Sequence, residues 1–168
     1  MFDNWLKTLA NWRNPLRPPG AISEKEFLQT CIHCMKCAEI CSYGSIQIAH
    51  GKAGLKMGTP FIFPREVPCY LCMECPPVCP SGALQPAVKK SDVKMGLAVI
   101  DRLKCFPYNG IICRSCYERC PIYTEAITLE NELYPVVHDD KCVGCGICEN
   151  VCPTEPSAIT IQSSHEVI

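Results

Sequence analysis

Apolar residues along this chain come in short runs bounded by Pro, Gly or Cys, and no run is long. The runs read Ser45-Ile46-Gln47-Ile48, Ala83-Leu84, Ala98-Val99-Ile100, Ala126-Ile127-Thr128-Leu129, Val136-Val137 and Ala158-Ile159-Thr160-Ile161. Such brief stretches, rich in Ile and Val, predict half-buried strands of minimal length. The first segment has a helical period instead, with Phe2, Trp5, Leu6, Leu9 and Trp12 on one stripe before Pro15, Pro18, Pro19 and Gly20 end it. Residues 1–20 are therefore expected to form an amphipathic helix and a Pro-rich linker. Both tryptophans lie on that stripe, and tryptophan is a frequent interface anchor, so the helix is expected to dock on a partner.

The runs belong to an internal repeat, each unit being a knot of cysteines followed by a short strand. Sixteen cysteines in 168 residues fall into four groups of four. Group one is Cys31, Cys34, Cys37 and Cys41; group two is Cys69, Cys72, Cys75 and Cys79. Group four is Cys142, Cys145, Cys148 and Cys152, with the same C-x2-C-x2-C-x3-C spacing. Group three, Cys105, Cys113, Cys116 and Cys120, carries an extra loop from Phe106 to Ile112 between its first two cysteines. Proline follows the last cysteine in groups two, three and four.

This spacing is the bacterial 4Fe-4S pattern, in which three thiolates grip one cubane and the fourth reaches a second cluster of the same domain. Three cysteines two residues apart wrap a tight loop around one cube, and the fourth leaves along a short helix. A proline is tolerated at a first helical turn, where its missing N–H is no loss. Gly144 and Gly146 are expected to let backbone amides approach the inorganic sulfides. Disulfide scaffolds scatter their partners more widely, and zinc sites use pairs of C-x2-C rather than four full runs. The expected cofactors are four 4Fe-4S clusters, with iron held by all sixteen cysteines. Strand, cysteine loop, short helix and strand make half of a bacterial ferredoxin. The predicted fold is thus α+β, with two bacterial-ferredoxin-like domains in tandem and irregular connections at residues 51–68 and 85–94.

Charge and the remaining motifs narrow the function. A formal net charge of -1 gives no basic excess for nucleic acid. The charge is uneven, since residues 121–168 sum to -7 and the rest to +6, which is able to orient a docking partner. No run reaches the 18 or so apolar residues of a membrane span, so an integral membrane protein is not expected. His33 reads as a solvent-facing spacer, and His50, His138 and His165 stand outside any ligand spacing. There is no Ser/His/Asp arrangement, phosphate-cradling glycine loop or flavin fingerprint, so no catalytic residues are expected. The chain reads as the electron-transfer component of an oxidoreductase complex, not as an enzyme.

Several stretches are more specific than a generic ferredoxin. Arg17-Pro18-Pro19-Gly20-Ala21, Gly58-Thr59-Pro60, Lys94-Met95-Gly96-Leu97-Ala98-Val99 and Cys113-Arg114-Ser115-Cys116-Tyr117 together resemble the NapG/MauM ferredoxin-type family. The resemblance implies a four-cluster relay, in the nitrate-reductase case between a membrane quinol-oxidising partner and a molybdoenzyme. No adjacent arginine pair occurs in residues 1–20, so a cytoplasmic location is expected. In that setting the chain is similar to the small polyferredoxin subunits of tungsten aldehyde oxidoreductase and benzoyl-CoA reductase type enzymes. The implied partner is a large catalytic subunit with a tungsten or molybdenum pterin, with a flavin- or quinone-linked subunit beyond it. The alternatives are a NapG-like relay from a membrane quinol-oxidising partner and a freely diffusing ferredoxin carrier.

Spacing leaves open whether neighbouring groups pair in sequence or not. The resemblance implies nesting. An outer domain of residues 21–50 plus 121–168 then joins groups one and four, and an inner domain of residues 51–120 joins groups two and three. The corresponding ligand sets are Cys31, Cys34, Cys37 and Cys152; Cys142, Cys145, Cys148 and Cys41; Cys69, Cys72, Cys75 and Cys120; and Cys105, Cys113, Cys116 and Cys79.

Overall fold

The computed structural model describes residues 15–51, 53–86 and 89–164. The tryptophan stripe of the N-terminal segment lies outside the described residues. Secondary structure is sparse and short. Helix α1 spans Glu24–Thr30, and single-turn helices α2 (Lys36–Glu39), α3 (Ser115–Glu118) and α4 (Ile147–Asn150) each follow a cysteine loop. Strands β1 (Ile46–Ile48), β2 (Pro60–Ile62), β3 (Gly96–Ile100), β4 (Ile127–Glu130), β5 (Tyr134–Val137) and β6 (Ile159–Ser163) form three antiparallel pairs: β1 with β2, β3 with β6 and β4 with β5.

The strand pattern divides the chain into two sequential units. In the second unit β3, before group three, pairs with β6, after group four, from Gly96↔Ser163 to Ile100↔Ile159. Between them β4 and β5 form a hairpin with Ile127 opposite Val137. The first unit repeats this plan in reduced form. Ala21, before group one, bridges Leu84, after group two. Ile22 N–H donates to Ala83 O and Gln85 N–H donates to Gly20 O, which closes the unit. Inside it β1 and β2 pair as the hairpin, with Ile46 opposite Ile62.

Both units therefore close on their own first and last strands, and the nested division expected from the sequence is not what forms. Residues 21–50 do not join residues 121–168 around a shared sheet. The reason is loop length. The strand that leaves one cysteine group and the strand that enters the next are joined by a short connection, three residues between β4 and β5, so pairing them costs the least loop entropy. Strand β2 was not anticipated, because Gly58, Pro60 and Pro64 argue against regular structure in 51–68. Pro60 opens the strand opposite Ile48, a position where a missing N–H is tolerated.

The two units share a core. Phe27, Leu71, Ala83 and Leu84 of the first pack in one cluster with Val93, Met95, Val143 and Cys145. Two further contacts lock them. Arg65 donates to Glu149 O (2.9 Å), Cys152 O (2.8 Å) and Thr154 O (3.2 Å) and pairs with Glu155 at 2.8 Å, while Asn150 donates back to Arg65 O. The guanidinium thus caps the carbonyl end of α4, where orphan acceptors and the helix dipole favour a cation. Lys94, at the junction before β3, donates to Asp140 O (2.8 Å) and Cys142 O (3.1 Å) of the loop that opens group four. Arg65→Met should speed loss of the iron–sulfur absorbance in denaturant by on the order of tenfold, equivalent to about 1.4 kcal/mol. Arg65→Lys should restore only part, because an ammonium lacks the planar fork. Unchanged bleaching in the methionine variant would show that the cap is not a structural tie.

Candidate iron–sulfur sites

Three of the four cysteine loops are bent by left-handed residues at the second and fourth positions after the first cysteine, but only one uses glycine there. In group four these are Gly144 (φ 72°) and Gly146 (φ 84°). At the same two offsets group one has His33 (φ 57°) and Met35 (φ 60°), and group two has Leu71 (φ 56°) and Met73 (φ 64°). Left-handed backbone costs a non-glycine residue about 1–2 kcal/mol, so four side chains are held there at a cost. Alternating hands turn successive N–H groups toward one point, the nest that binds anions and iron–sulfur clusters. The two glycines have a second reason. A Cβ on Gly144 would overlap the Gly96 backbone, and one on Gly146 would overlap Pro64. The first contact packs group four against β3 inside the second unit, and the second lies where the two units meet.

The bends gather the thiols into four quartets. Cys31, Cys34 and Cys37 line one cavity with Cys79. Cys69, Cys72 and Cys75 line the next with Cys41. A third holds Cys142, Cys145 and Cys148 with Cys120, and the fourth holds Cys105, Cys113 and Cys116 with Cys152. The first three cysteines of every group stay together as the sequence predicts. The fourth cysteines do not go where nesting puts them: Cys152 joins group three rather than group one, Cys41 joins group two, Cys120 joins group four and Cys79 joins group one. Sequential closure of each unit brings these neighbours face to face.

The four cavities are alike in extent, 370, 330, 340 and 360 Å³ in the order just given, counting the open solvent at their mouths. Among the described residues no three His, Cys, Asp or Glu side chains converge tightly enough to ligate a single ion. Thiols that line the walls of a cavity, rather than meeting at a point, suit a cube with iron at its corners and not a lone zinc. The donor set is thus soft sulfur, fourfold and widely spread.

Burial dominates the electrostatics of the metal-free thiols. It pushes Cys37 and Cys69 up to about 11 and Cys116 and Cys145 up to about 12, with neighbouring thiols adding to the rise. Burial likewise raises Cys75 and Cys148 well above the ordinary thiol value. Iron binding must therefore release protons and supply the charge that stabilises the thiolates. Cys79 and Cys152 differ. Burial raises them too, but hydrogen bonds outweigh it, from Leu84 N–H and Ser81 at Cys79 and from Thr154 and Ser157 at Cys152, so both settle below the ordinary thiol value.

The quartets are neighbours in the order first, second, third, fourth. Cys75 of the second lies within electrostatic reach of Cys37 of the first, and Cys148 of the third within reach of Cys116 of the fourth. Between the two units, Cys69 N–H donates to Cys145 O at 2.9 Å. The inserted loop of group three is packed rather than loose. Asn109 donates to Arg102 O, Leu103 O and Cys105 O, and the Tyr108 hydroxyl donates to Pro135 O at 3.0 Å.

Comparison with known proteins agrees with two local domains. Residues 30–83 and residues 98–161 each match a 4Fe-4S dicluster domain. The methylamine utilization ferredoxin-type protein MauM of Paracoccus denitrificans is 41% identical over 157 residues, covering 87% of this chain and 70% of its own length. The ferredoxin-type protein NapG of Escherichia coli is 42% identical over 160 residues, with 87% and 69% covered. MauM of Methylorubrum extorquens is 42% identical over 157 residues, with 87% and 71% covered. The chain belongs to the NapG/MauM ferredoxin-type family. It is an electron-transfer protein with four 4Fe-4S clusters in two dicluster domains.

Sequence reasoning missed several residues that build the family's sites in this chain. Arg17 and Glu24 are fully buried beside group one, and Ser81 and Thr154 sit against fourth cysteines. The latter two had a legible signal, a short hydroxyl side chain two residues after the last cysteine in Cys79-Pro80-Ser81 and Cys152-Pro153-Thr154. The former had none, because nothing local separates a buried arginine from a solvated one. His33 is exposed, as its reading as a spacer requires, and its ring faces Gly58.

Proposed function

We propose that this NapG/MauM-type chain is a subunit wire, carrying single electrons end to end between a catalytic oxidoreductase subunit and a second redox partner. Each quartet holds one cluster: Cys31, Cys34, Cys37 and Cys79; Cys69, Cys72, Cys75 and Cys41; Cys142, Cys145, Cys148 and Cys120; Cys105, Cys113, Cys116 and Cys152. The observation that carries the reading is the hydrogen bond from Cys69 N–H to Cys145 O at 2.9 Å. It joins a ligand residue of one domain to a ligand residue of the other, so the middle step of the line runs through one hydrogen bond rather than through space. Tunnelling decays more slowly along bonded paths than across gaps. The clusters do the electron chemistry when bound, and the chain supplies spacing, dielectric and charge.

Electrons enter and leave at the two ends. At the group-one end Cys34 is itself exposed, with Ile32 63% and Met35 50% accessible beside it. At the group-three end Leu103, Ile111 and Ile112 are exposed next to Cys113. The catalytic partner is a tungsten or molybdenum pterin subunit, and the other end serves a flavin- or quinone-linked subunit. Capture of the full chain from its native host, with metal analysis of what accompanies it, tests this. Stoichiometric tungsten or molybdenum supports it, and a chain recovered alone and monodisperse sinks it in favour of a diffusing carrier.

The ligand sets have their own test. Cys152→Ser should alter the same paramagnetic signal as Cys113→Ser and leave that of Cys34→Ser untouched. A Cys152→Ser effect on the Cys34 signal would restore the nested arrangement.

A further inference from the structure

Two hydroxyl side chains repeat the same contact in both domains. Thr154 Oγ1 lies 3.2 Å from Cys152 Sγ and accepts the Ala158 N–H at 2.7 Å. Ser81 Oγ lies 3.6 Å from Cys79 Sγ and accepts the Ala83 N–H at 3.4 Å. In each case the backbone amide occupies an oxygen lone pair, and the hydroxyl proton is left for the sulfur. A metal-bound thiolate carries no proton and only accepts, so the direction is fixed as O–H to S. Leu84 N–H adds a second donor to Cys79 Sγ at 3.4 Å. Ser115 Oγ stands 3.7 Å from Cys113 Sγ, a further ligand of the quartet that contains Cys152.

The other two fourth cysteines differ. Two residues after Cys41 stands Tyr43, whose ring stacks on Tyr70 at 4.6 Å, and two residues after Cys120 stands Ile122. Ser42, next to Cys41, donates its hydroxyl to Glu74 at 3.2 Å. The hydroxyl contact thus falls on the quartets of Cys79 and Cys152, which are the two ends of the line, and the equivalent positions of the two interior quartets lack it.

We propose that Thr154 and Ser81 set the potential profile of the wire, their hydroxyls raising the two terminal clusters above the two interior ones. Reduction adds one electron to a cluster and increases the negative charge on its sulfurs. A donor aimed at a ligand sulfur stabilises that reduced form more than the oxidised one, and so moves the potential up. Electrons then reside at the ends, where partners exchange them, and cross the interior pair as a higher-energy bridge. Thr154 is the stronger donor because its contact is shorter and it is only 9% exposed. This inference rests on the ligand quartets proposed above.

An anaerobic redox titration of the full, reconstituted chain, followed by EPR, tests it. Thr154→Val should lower one cluster of four by about tenfold in its reduction equilibrium, which is about 59 mV for one electron. Thr154→Ser should leave that potential in place. Ser81→Ala should lower a different cluster by less, and Ile122→Thr should raise a third. Cys152→Ser and Cys113→Ser in parallel identify the signal to watch. If those two alter different signals the quartets are wrong, whatever Thr154 does. If they agree, unchanged potentials in fully loaded Thr154→Val and Ser81→Ala protein overturn the proposal, as does an equal drift of all four clusters. Should Thr154→Val load fewer than four clusters, Ser81→Ala and Ile122→Thr carry the same test, with unchanged potentials in both overturning it.

Discussion

Removing the iron will unfold the whole chain instead of leaving four empty sites in a standing fold. The regular elements are too small to persist alone. Three helices are four residues long and the longest strands have five, whereas isolated helices below about 12 residues are marginal in water. Among the described residues every sheet has two strands, and a lone pair is marginal without a hydrophobic face behind it. That face is made in large part of cysteine. Cys37, Cys69, Cys75, Cys142, Cys145 and Cys148 are all buried, and the first core cluster runs through Cys37, Cys69, Cys75 and Cys145. The quartets thus occupy the place of an apolar core, and cluster binding energy is folding energy. Before chelation the protein should contain about 16 iron and about 16 acid-labile sulfide per chain. After anaerobic chelation its far-UV circular dichroism should fall to that of an unfolded chain, and amide dispersion should collapse. Retained dispersion in iron-free protein would contradict this, and stoichiometric zinc in the native protein would contradict the cluster assignment itself.

Arg17→Met should cost about 3–5 kcal/mol of stability, the typical penalty for leaving one half of a buried ion pair behind. Arg17 and Glu24 are both fully buried and paired through two contacts, Nε to Oε2 at 2.8 Å and Nη2 to Oε1 at 2.6 Å. The two Nη1 protons go to Thr59 Oγ1 at 2.9 Å and Pro60 O at 2.7 Å, and the Phe27 ring lies 4.7 Å below Cζ. One side chain therefore ties the entry segment, helix α1 and strand β2 together beside group one. Without it the Glu24 carboxylate keeps only Lys56, at 3.8 Å and partly exposed. Removing both charges, as in Arg17→Met with Glu24→Leu, should recover most of the loss, because no charge is then stranded. The readout is the rate at which denaturant bleaches the clusters, compared for single and double variants. A double variant no better than Arg17→Met would mean that the arginine acts through its contacts to Thr59 and Pro60 alone.

The sequence by itself determined what is local along the chain. Four cysteine groups, their spacing, the short strands 45–48, 98–100, 126–129, 136–137 and 158–161, and the α+β ferredoxin class all follow from residues a few positions apart. They are legible because ligand loops and minimal strands are specified by immediate neighbours: a thiol every third residue, a bend, an Ile or Val pair. Even so, the bends were read from glycine alone, and Leu71 and Met73 take the same left-handed backbone as Gly144 and Gly146 because the fold holds them there. Tertiary structure decided which groups share a cavity. The gaps between groups are similar in length, so nothing in the spacing distinguishes nested from sequential closure. The choice lies in strand register, Gly96 against Ser163 and Ala21 against Leu84, where side chains far apart in sequence must match on one buried face. Tertiary structure also decided the buried Arg17–Glu24 pair and the Arg65 cap on α4, since the groups that surround these charges, contributed from 42 to 90 residues away, are in place only once the chain has folded.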